Sequence, residues 1–136
     1  MSKMKRHKLG LHIFRRDLRL EDNTALIKAL KTCEKVMPCF ILDERQLKDN
    51  SYRSDNAVQF MMGCIKELEK QLKQKGGKLY LYAGKSEEVV EKLLDNNDVD
   101  AVFCNKDYTV FSKARDDKIR RACKNSGVAF TSSADA

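Results

Sequence analysis

Short apolar runs alternate with longer amphipathic stretches along the chain, and the two kinds of segment follow different periods. Five runs carry few polar residues: Leu9 to Phe14, Val36 to Leu42, Leu79 to Ala83, Ala101 to Cys104 and Val128 to Thr131. Runs of this length without polar alternation are expected of strands buried on both faces of a parallel sheet. Four segments between them place apolar residues three and four apart, as helices do. The first opens at Asp22 or Asn23, either of which can cap free amides, and carries Leu26, Ala29, Leu30 and Cys33. The second runs from Ser54 or Asp55 to the Gly76-Gly77 stop, with Met61, Cys64, Ile65, Leu68 and Leu72 on one side and Lys66, Glu67, Lys70 and Lys73 on the other. The third starts at Ser86, sets Glu87 and Glu88 where the helix dipole favours anions, buries Val89, Val90, Leu93 and Leu94, and ends at Asn96-Asn97. The fourth spans Ser112 to Ser126, buries Ala114, Ile119, Ala122 and Cys123, and stops at Gly127.

Regular alternation of strand and helix predicts an α/β fold: a Rossmann-like open sheet of five parallel strands with helices on both faces, in three layers. In such sheets ligands bind beyond the carboxyl ends of the strands, where strand order reverses. That rule directs attention to Arg15 to Arg19, Asp43 and Glu44, Gly84 to Ser86, and Asn105 to Tyr108. With 136 residues the chain forms one domain, and it shows no repeat, linker or low-complexity tract.

Composition narrows the class. A hydrophobic content of 42% excludes general disorder. The longest apolar run, Val36 to Leu42, holds Pro38 and is far shorter than the roughly 20 residues of a membrane span, so no membrane partner is expected. The basic stretch Lys3 to Lys8 leads into only the short stretch Leu9 to Phe14 before Arg15 and Arg16, which is not a secretory signal. Cysteines 33, 39, 64, 104 and 123 are odd in number and form no Cys-x-x-Cys pair, and His7 and His12 lie at no metal-ligand spacing from them. Core cysteines in a reduced cytoplasmic setting, or a nuclear one in a eukaryote, are expected, without a bound metal. The net charge of +7 favours anionic partners, nucleic acid or phosphorylated ligands, although solvated helix faces account for such an excess equally well.

Catalytic motifs are sparse. Gly84-Lys85-Ser86 resembles the end of a P-loop, but Leu79 stands where its first glycine belongs, and no Gly-x-Gly-x-x-Gly occurs. Ser54, Ser86 and Ser112 read as caps and His12 as a satisfied core histidine, so no triad assembles. Glu87-Glu88 and Asp116-Asp117 are helix neighbours that point apart, which excludes an acid/base dyad. The distinctive stretch is Phe14-Arg15-Arg16-Asp17-Leu18-Arg19-Leu20-Glu21-Asp22-Asn23. Its arginines and aspartates imply either a ligand or an internal ion-pair network in which Asp17 fixes the arginines.

This stretch, followed by Asn23-Thr24-Ala25-Leu26, resembles the opening of the photolyase/cryptochrome family. The resemblance continues through Phe40-Ile41-Leu42-Asp43, Asn56-Ala57-Val58-Gln59-Phe60, Asn105-Lys106-Asp107-Tyr108-Thr109 and Arg115-Asp116, and it covers essentially the whole chain but only the first part of the family's length. It implies the amino-terminal antenna domain, residues 1–136, which holds a light-harvesting chromophore at the carboxyl edge of the sheet. The FAD, the electron-transfer residues and the pocket for a flipped pyrimidine dimer would belong to a carboxyl-terminal helical domain, the expected partner, through which damaged DNA would be met. Alone, the domain is expected to be inactive in repair.

Arg15, Arg16 and Asp17 would shape the turn after the first strand, Phe40 and Asp43 one wall, and Asn105, Asp107 and Tyr108 the other. Asp107 matches an acidic antenna contact of deazaflavin-binding members and Phe40 an aromatic of the same pocket. Ala57 replaces an arginine that many relatives use at the chromophore, and Ile13 a common tryptophan. Phe111 and Ser112 stand where folate-binding members carry an Asn-Glu pair, which favours a deazaflavin or flavin mononucleotide over methenyltetrahydrofolate. Three alternatives stay open: a cryptochrome-type photoreceptor domain, a stand-alone nucleotide-binding or partner-docking module, and a nucleic-acid surface built from Lys113, Arg115, Lys118, Arg120, Arg121 and Lys124. The oligomeric state is not encoded in any motif.

Overall fold

The first apolar run becomes the strand on which the others are ordered. In the computed structural model, which describes residues 7–15, 17–43, 55–96 and 98–134, β1 (His7–Phe14) pairs in parallel with β2 (Cys33–Leu42) on one side and β4 (Ala101–Asn105) on the other. β3 (Tyr80–Ala83) and β5 (Ala129–Ser133) complete the edges, giving the order β3-β2-β1-β4-β5. Ile13 lies level with Cys39 on one neighbour and Cys104 on the other, so the three strands share one register. Strand order reverses between β1 and β4, which defines the switch point.

Strand alternation divides the side chains between two apolar layers. Leu11, Ile13, Cys39, Ile41, Val102 and Cys104 pack against α3 (Ser86–Asn96) and α4 (Val110–Asn125). Phe14 and Phe40 face Leu26 of α1 (Thr24–Thr32) and Met61, Ile65, Leu68 and Leu72 of α2 (Asp55–Gln74). α1 comes closest to the sheet through Ala25 and Ala29 against Ala101. Gly10 lies in the same region, where a Cβ would stand 2.5 Å from the Cys33 sulfur and 3.1 Å from a Phe103 ring carbon. The alanines let α1 lie close to the sheet, and Gly10 leaves room for the Cys33 and Phe103 side chains. The three-layer α/β fold expected from the alternation is therefore the fold observed.

Four local expectations are corrected. Cys33 is the first residue of β2, not the last apolar position of α1, because the helix passes into the strand with no intervening turn residue. Leu30 then falls outside the buried stripe, 52% exposed. β3 is an edge strand whose residues are mostly exposed, unlike the doubly buried inner strands. At α4 the cap is Thr109, whose hydroxyl accepts the Ser112 amide, so Ser112 is an internal, buried residue. The cysteines behave largely as expected: Cys33, Cys39, Cys104 and Cys123 are buried, Cys64 only partly. Burial pushes the thiols of Cys39 and Cys123 up to about 12, which makes them inert.

His12 is buried, as expected, but it is not satisfied. It is fully enclosed with its ring edge-to-face on Phe14 at 4.5 Å, and neither ring nitrogen has a hydrogen-bond partner among the described residues. Burial, and after it the Arg15 charge, push its pKa from 6.5 down to about 3. The folded chain stays neutral there while the unfolded chain takes up a proton below pH 6.5, so acid favours unfolding between those values. His12→Leu should raise stability by ~1 kcal/mol at neutral pH, by removing two unpaired polar atoms. It should also remove an acid-limb loss of up to about 1.4 kcal/mol per pH unit. Urea melts at neutral and mildly acidic pH test this, and equal acid slopes for both chains would refute it.

Candidate functional site

The switch point is closed by side chains from four elements. Asn105 ends β4, and its amide nitrogen donates to Asp17 Oδ2 at 2.6 Å and to Asn23 Oδ1 at 2.8 Å, while its Oδ1 accepts the Ala25 amide at 3.0 Å. Asn23, fully buried, caps α1 through the Leu26 amide at 3.2 Å and donates to Asp17 and to the Arg19 carbonyl. Asp17 Oδ1 accepts the Arg15 amide at 2.7 Å. The three side chains thus draw the β1–α1 turn onto the end of β4.

Arg15 extends the network to the other layer. Its guanidinium forms a two-pronged pair with Asp116 of α4, at 2.6 and 3.0 Å, and also donates to the Asn105 carbonyl at 3.2 Å. Both side chains are largely shielded, 8% and 13% exposed. Arg115, the next buried residue of α4, donates from Nε to Asp116 at 3.2 Å and lies over the Phe111 ring. Its Nη2 has no partner among the described residues. Burial, then the neighbouring Arg15 charge, lowers the Arg115 pKa.

The sequence-derived site residues separate into groups. Arg15, Asp17 and Asn105 meet in one network. Asp107 is half-buried and Tyr108 is 65% exposed beside them. These two residues border a cleft of about 330 Å³ with Lys106, Lys113, Asp116 and Ser132. Asp43 stands apart: its Oδ2 accepts both the amide and the hydroxyl of Ser86, at 3.1 Å each, and so it caps α3. Phe40 is 8% exposed and belongs to the apolar layer under α2. Arg16 and Glu44 lie outside the described residues, as do the side chains of Asn56, Ala57 and Val58.

Sequence reasoning missed the depth of α4. Ala114 is exposed, whereas Arg115 and Asp116 are buried. The proposed basic face therefore loses Arg115, while Lys118 pairs with Glu87 at 3.5 Å and Arg120 with Asp117 at 3.2 Å. The signal available was the Arg-Asp dipeptide itself, since a buried aspartate needs a cation such as Arg15. A larger groove, about 720 Å³, lies at the opposite end of the sheet among Lys35 to Pro38, Leu30, Leu72 and Tyr80. Size alone does not make it the site, because the converging polar side chains lie at the carboxyl edge.

A doubly wound sheet with a polar switch point defines the class. The DNA photolyase family model matches residues 10–136, and the chain belongs to that family. It is 30% identical over 84% of its length to a deoxyribodipyrimidine photo-lyase of Synechococcus sp. and 33% identical over 71% to a cryptochrome DASH of Idiomarina loihiensis. These matches span 23% and 22% of the two relatives. An archaeal photolyase from Sulfolobus tokodaii, crystallised with two FAD molecules and described as implying a novel light-harvesting cofactor, superposes with a TM-score of 0.86 at 46% identity. That match covers 93% of this chain and 29% of the other. A bacterial class III photolyase from Agrobacterium tumefaciens superposes at 0.83 with 26% identity, over 98% of this chain and 27% of that one.

Asp116→Ala should leave the Arg15 charge buried without its partner and cost about 3 to 5 kcal/mol, a large part of the stability of a domain this size. Asp117→Ala, which breaks the exposed pair with Arg120, should cost under about 0.5 kcal/mol. Denaturant midpoints of the two variants test the contrast, and equal shifts would refute it.

Proposed function

We propose that this chain is the light-harvesting domain of a photolyase-type protein and that it holds a flavin-class pigment, deazaflavin, flavin mononucleotide or a second FAD, at the carboxyl edge of the sheet beside the end of β4. The observation that carries the reading is the 46% identity to the Sulfolobus tokodaii photolyase, whose description joins two FAD molecules to a light-harvesting cofactor. The cleft beside Asp107 and Tyr108 supports it, being near the lower end of small-molecule pockets, about 300 to 1,000 Å³. Tyr108 offers an exposed ring against which a flat heteroaromatic can lie.

The residues fit a flavin better than a folate. Ser112, at one of the positions where an Asn-Glu pair would be needed, is 1% exposed and bonded to Thr109, and Phe111 lies over Arg115. The bound pigment would absorb light and pass the excitation onward. The protein's part is to exclude water from the ring and fix its orientation on rigid strand ends. Repair of damaged DNA, and the FAD that would drive it, are assigned to the carboxyl-terminal flavin domain of a longer parent. The cryptochrome DASH relative, 33% identical, supports a second reading in which the parent is a photoreceptor, with this domain in the same role.

Titrating the chain with flavin mononucleotide, FAD, a deazaflavin and methenyltetrahydrofolate in turn, while recording visible absorption and fluorescence, tests the proposal. A saturable red shift or quenching with flavins and none with folate is expected. A response to folate alone would reverse the pigment class, and no response to any of them would refute pigment binding by this domain.

A further inference from the structure

In an open α/β sheet the usual seat for a nucleotide phosphate is a helix N-terminus at the carboxyl edge, where free amides and the helix dipole meet the anion. This chain has three such seats with described surroundings, and at each a first-turn amide is already taken by one of its own side chains. At α1 the Ala25 and Leu26 amides are taken by Asn105 Oδ1 and Asn23 Oδ1, at 3.0 and 3.2 Å. Next to them stands the Asp17 carboxylate, held by Arg15, Asn23 and Asn105. At α3 the Ser86 amide and hydroxyl both go to the buried Asp43 carboxylate. At α4 the Ser112 amide goes to the Thr109 hydroxyl. α2 begins with an acidic residue, Asp55.

One internal carboxylate, Asp43, therefore occupies the α3 seat, and a second, Asp17, stands beside the α1 seat. An incoming phosphate would have to displace buried hydrogen bonds and approach like charge, both of which cost free energy. The guanidinium of Arg15, which reaches the switch point, is already engaged by Asp116 on two prongs. What the edge still offers to a ligand is the cleft beside Tyr108, whose basic residues Lys106, Lys113 and Arg120 are matched by Asp107, Asp116 and Asp117, so that its lining carries no net charge to draw an anion.

We infer that this domain, if it binds a flavin as proposed above, recognises the isoalloxazine ring and is indifferent to the phosphate of the ribityl chain. Asp17, Asp43, Asn23, Asn105 and Thr109 are the residues that set this selectivity, by closing the phosphate seats. The inference rests on the flavin reading for its ligand, while the closure of the seats stands on the hydrogen bonds alone.

The test compares riboflavin with flavin mononucleotide by fluorescence quenching of the full chain at about 0.15 M salt, where the general positive charge is screened beyond about 8 Å. Dissociation constants within about threefold of each other are expected. A mononucleotide preference of about tenfold or more, the scale of one additional charge-assisted site, would overturn the inference and leave the flavin reading standing. In parallel, millimolar inorganic pyrophosphate is added and the melting temperature followed. No rise is expected, whereas a saturable rise would reveal an open phosphate seat by linkage. If neither flavin binds, the flavin reading and the ring selectivity both fall, and the pyrophosphate result alone decides whether the seats are closed.

Discussion

The structure depends on the way Asn105 closes the gap between β1 and β4. Where strand order reverses, the connections that follow the two strands leave toward opposite layers, and the carboxyl ends are left with polar groups and no helix to cover them. One side-chain amide makes three hydrogen bonds there: two donated to Asp17 and Asn23, and one accepted from the α1 backbone. Asparagine suits the position because it both donates and accepts within one rigid plane. Aspartate would place a further negative charge against Asp17, and leucine would leave Asp17, Asn23 and the Ala25 amide each short of a partner.

From that point the constraint spreads into both layers. α1 is drawn close by its capped N-terminus, and the contact is made along its length by Ala25 and Ala29 against Ala101. α4 is held on the opposite face by the Arg15–Asp116 pair, whose guanidinium also reaches the Asn105 carbonyl. The two helices that flank the switch point thus share a single polar network. Removing a member affects both layers, and low dielectric makes each unpaired remnant costly.

How far the sequence discloses this varies with the physics involved. Strand and helix alternation is a local, repeated signal, so the sheet and its layers were legible, whereas the strand order that puts the switch point between β1 and β4 depends on long-range pairing. The α1–β2 junction was not, because Cys33 fits a helical stripe and a strand start equally well and no turn residue separates them. His12 shows the limit of reasoning by residue type: its burial was foreseen, but its lack of partners depends on Phe14 and on flanking strands that offer only backbone already in use. Arg115 was placed on a basic surface by charge alone. Its burial follows from the position of Asp116, which must face Arg15 across 101 residues of sequence, a separation that no local pattern reports.

The same network explains how a site can be polar and yet rigid. A sheet edge that bound ligand through free charges would need those charges solvated when empty and desolvated when filled, with side chains moving between the two conditions. Here the arginine and aspartates satisfy each other before any ligand arrives, so the edge is a fixed floor and not a set of waiting contacts. A pigment that must hold one orientation gains from such a floor, since no side chain at the network has to reorder on binding. The consequence is a division of labour at the carboxyl edge. Asp17, Asn23, Asn105, Arg15 and Asp116 supply rigidity, and in the proposed pigment-binding role recognition falls to the residues that remain more exposed, Tyr108 above all.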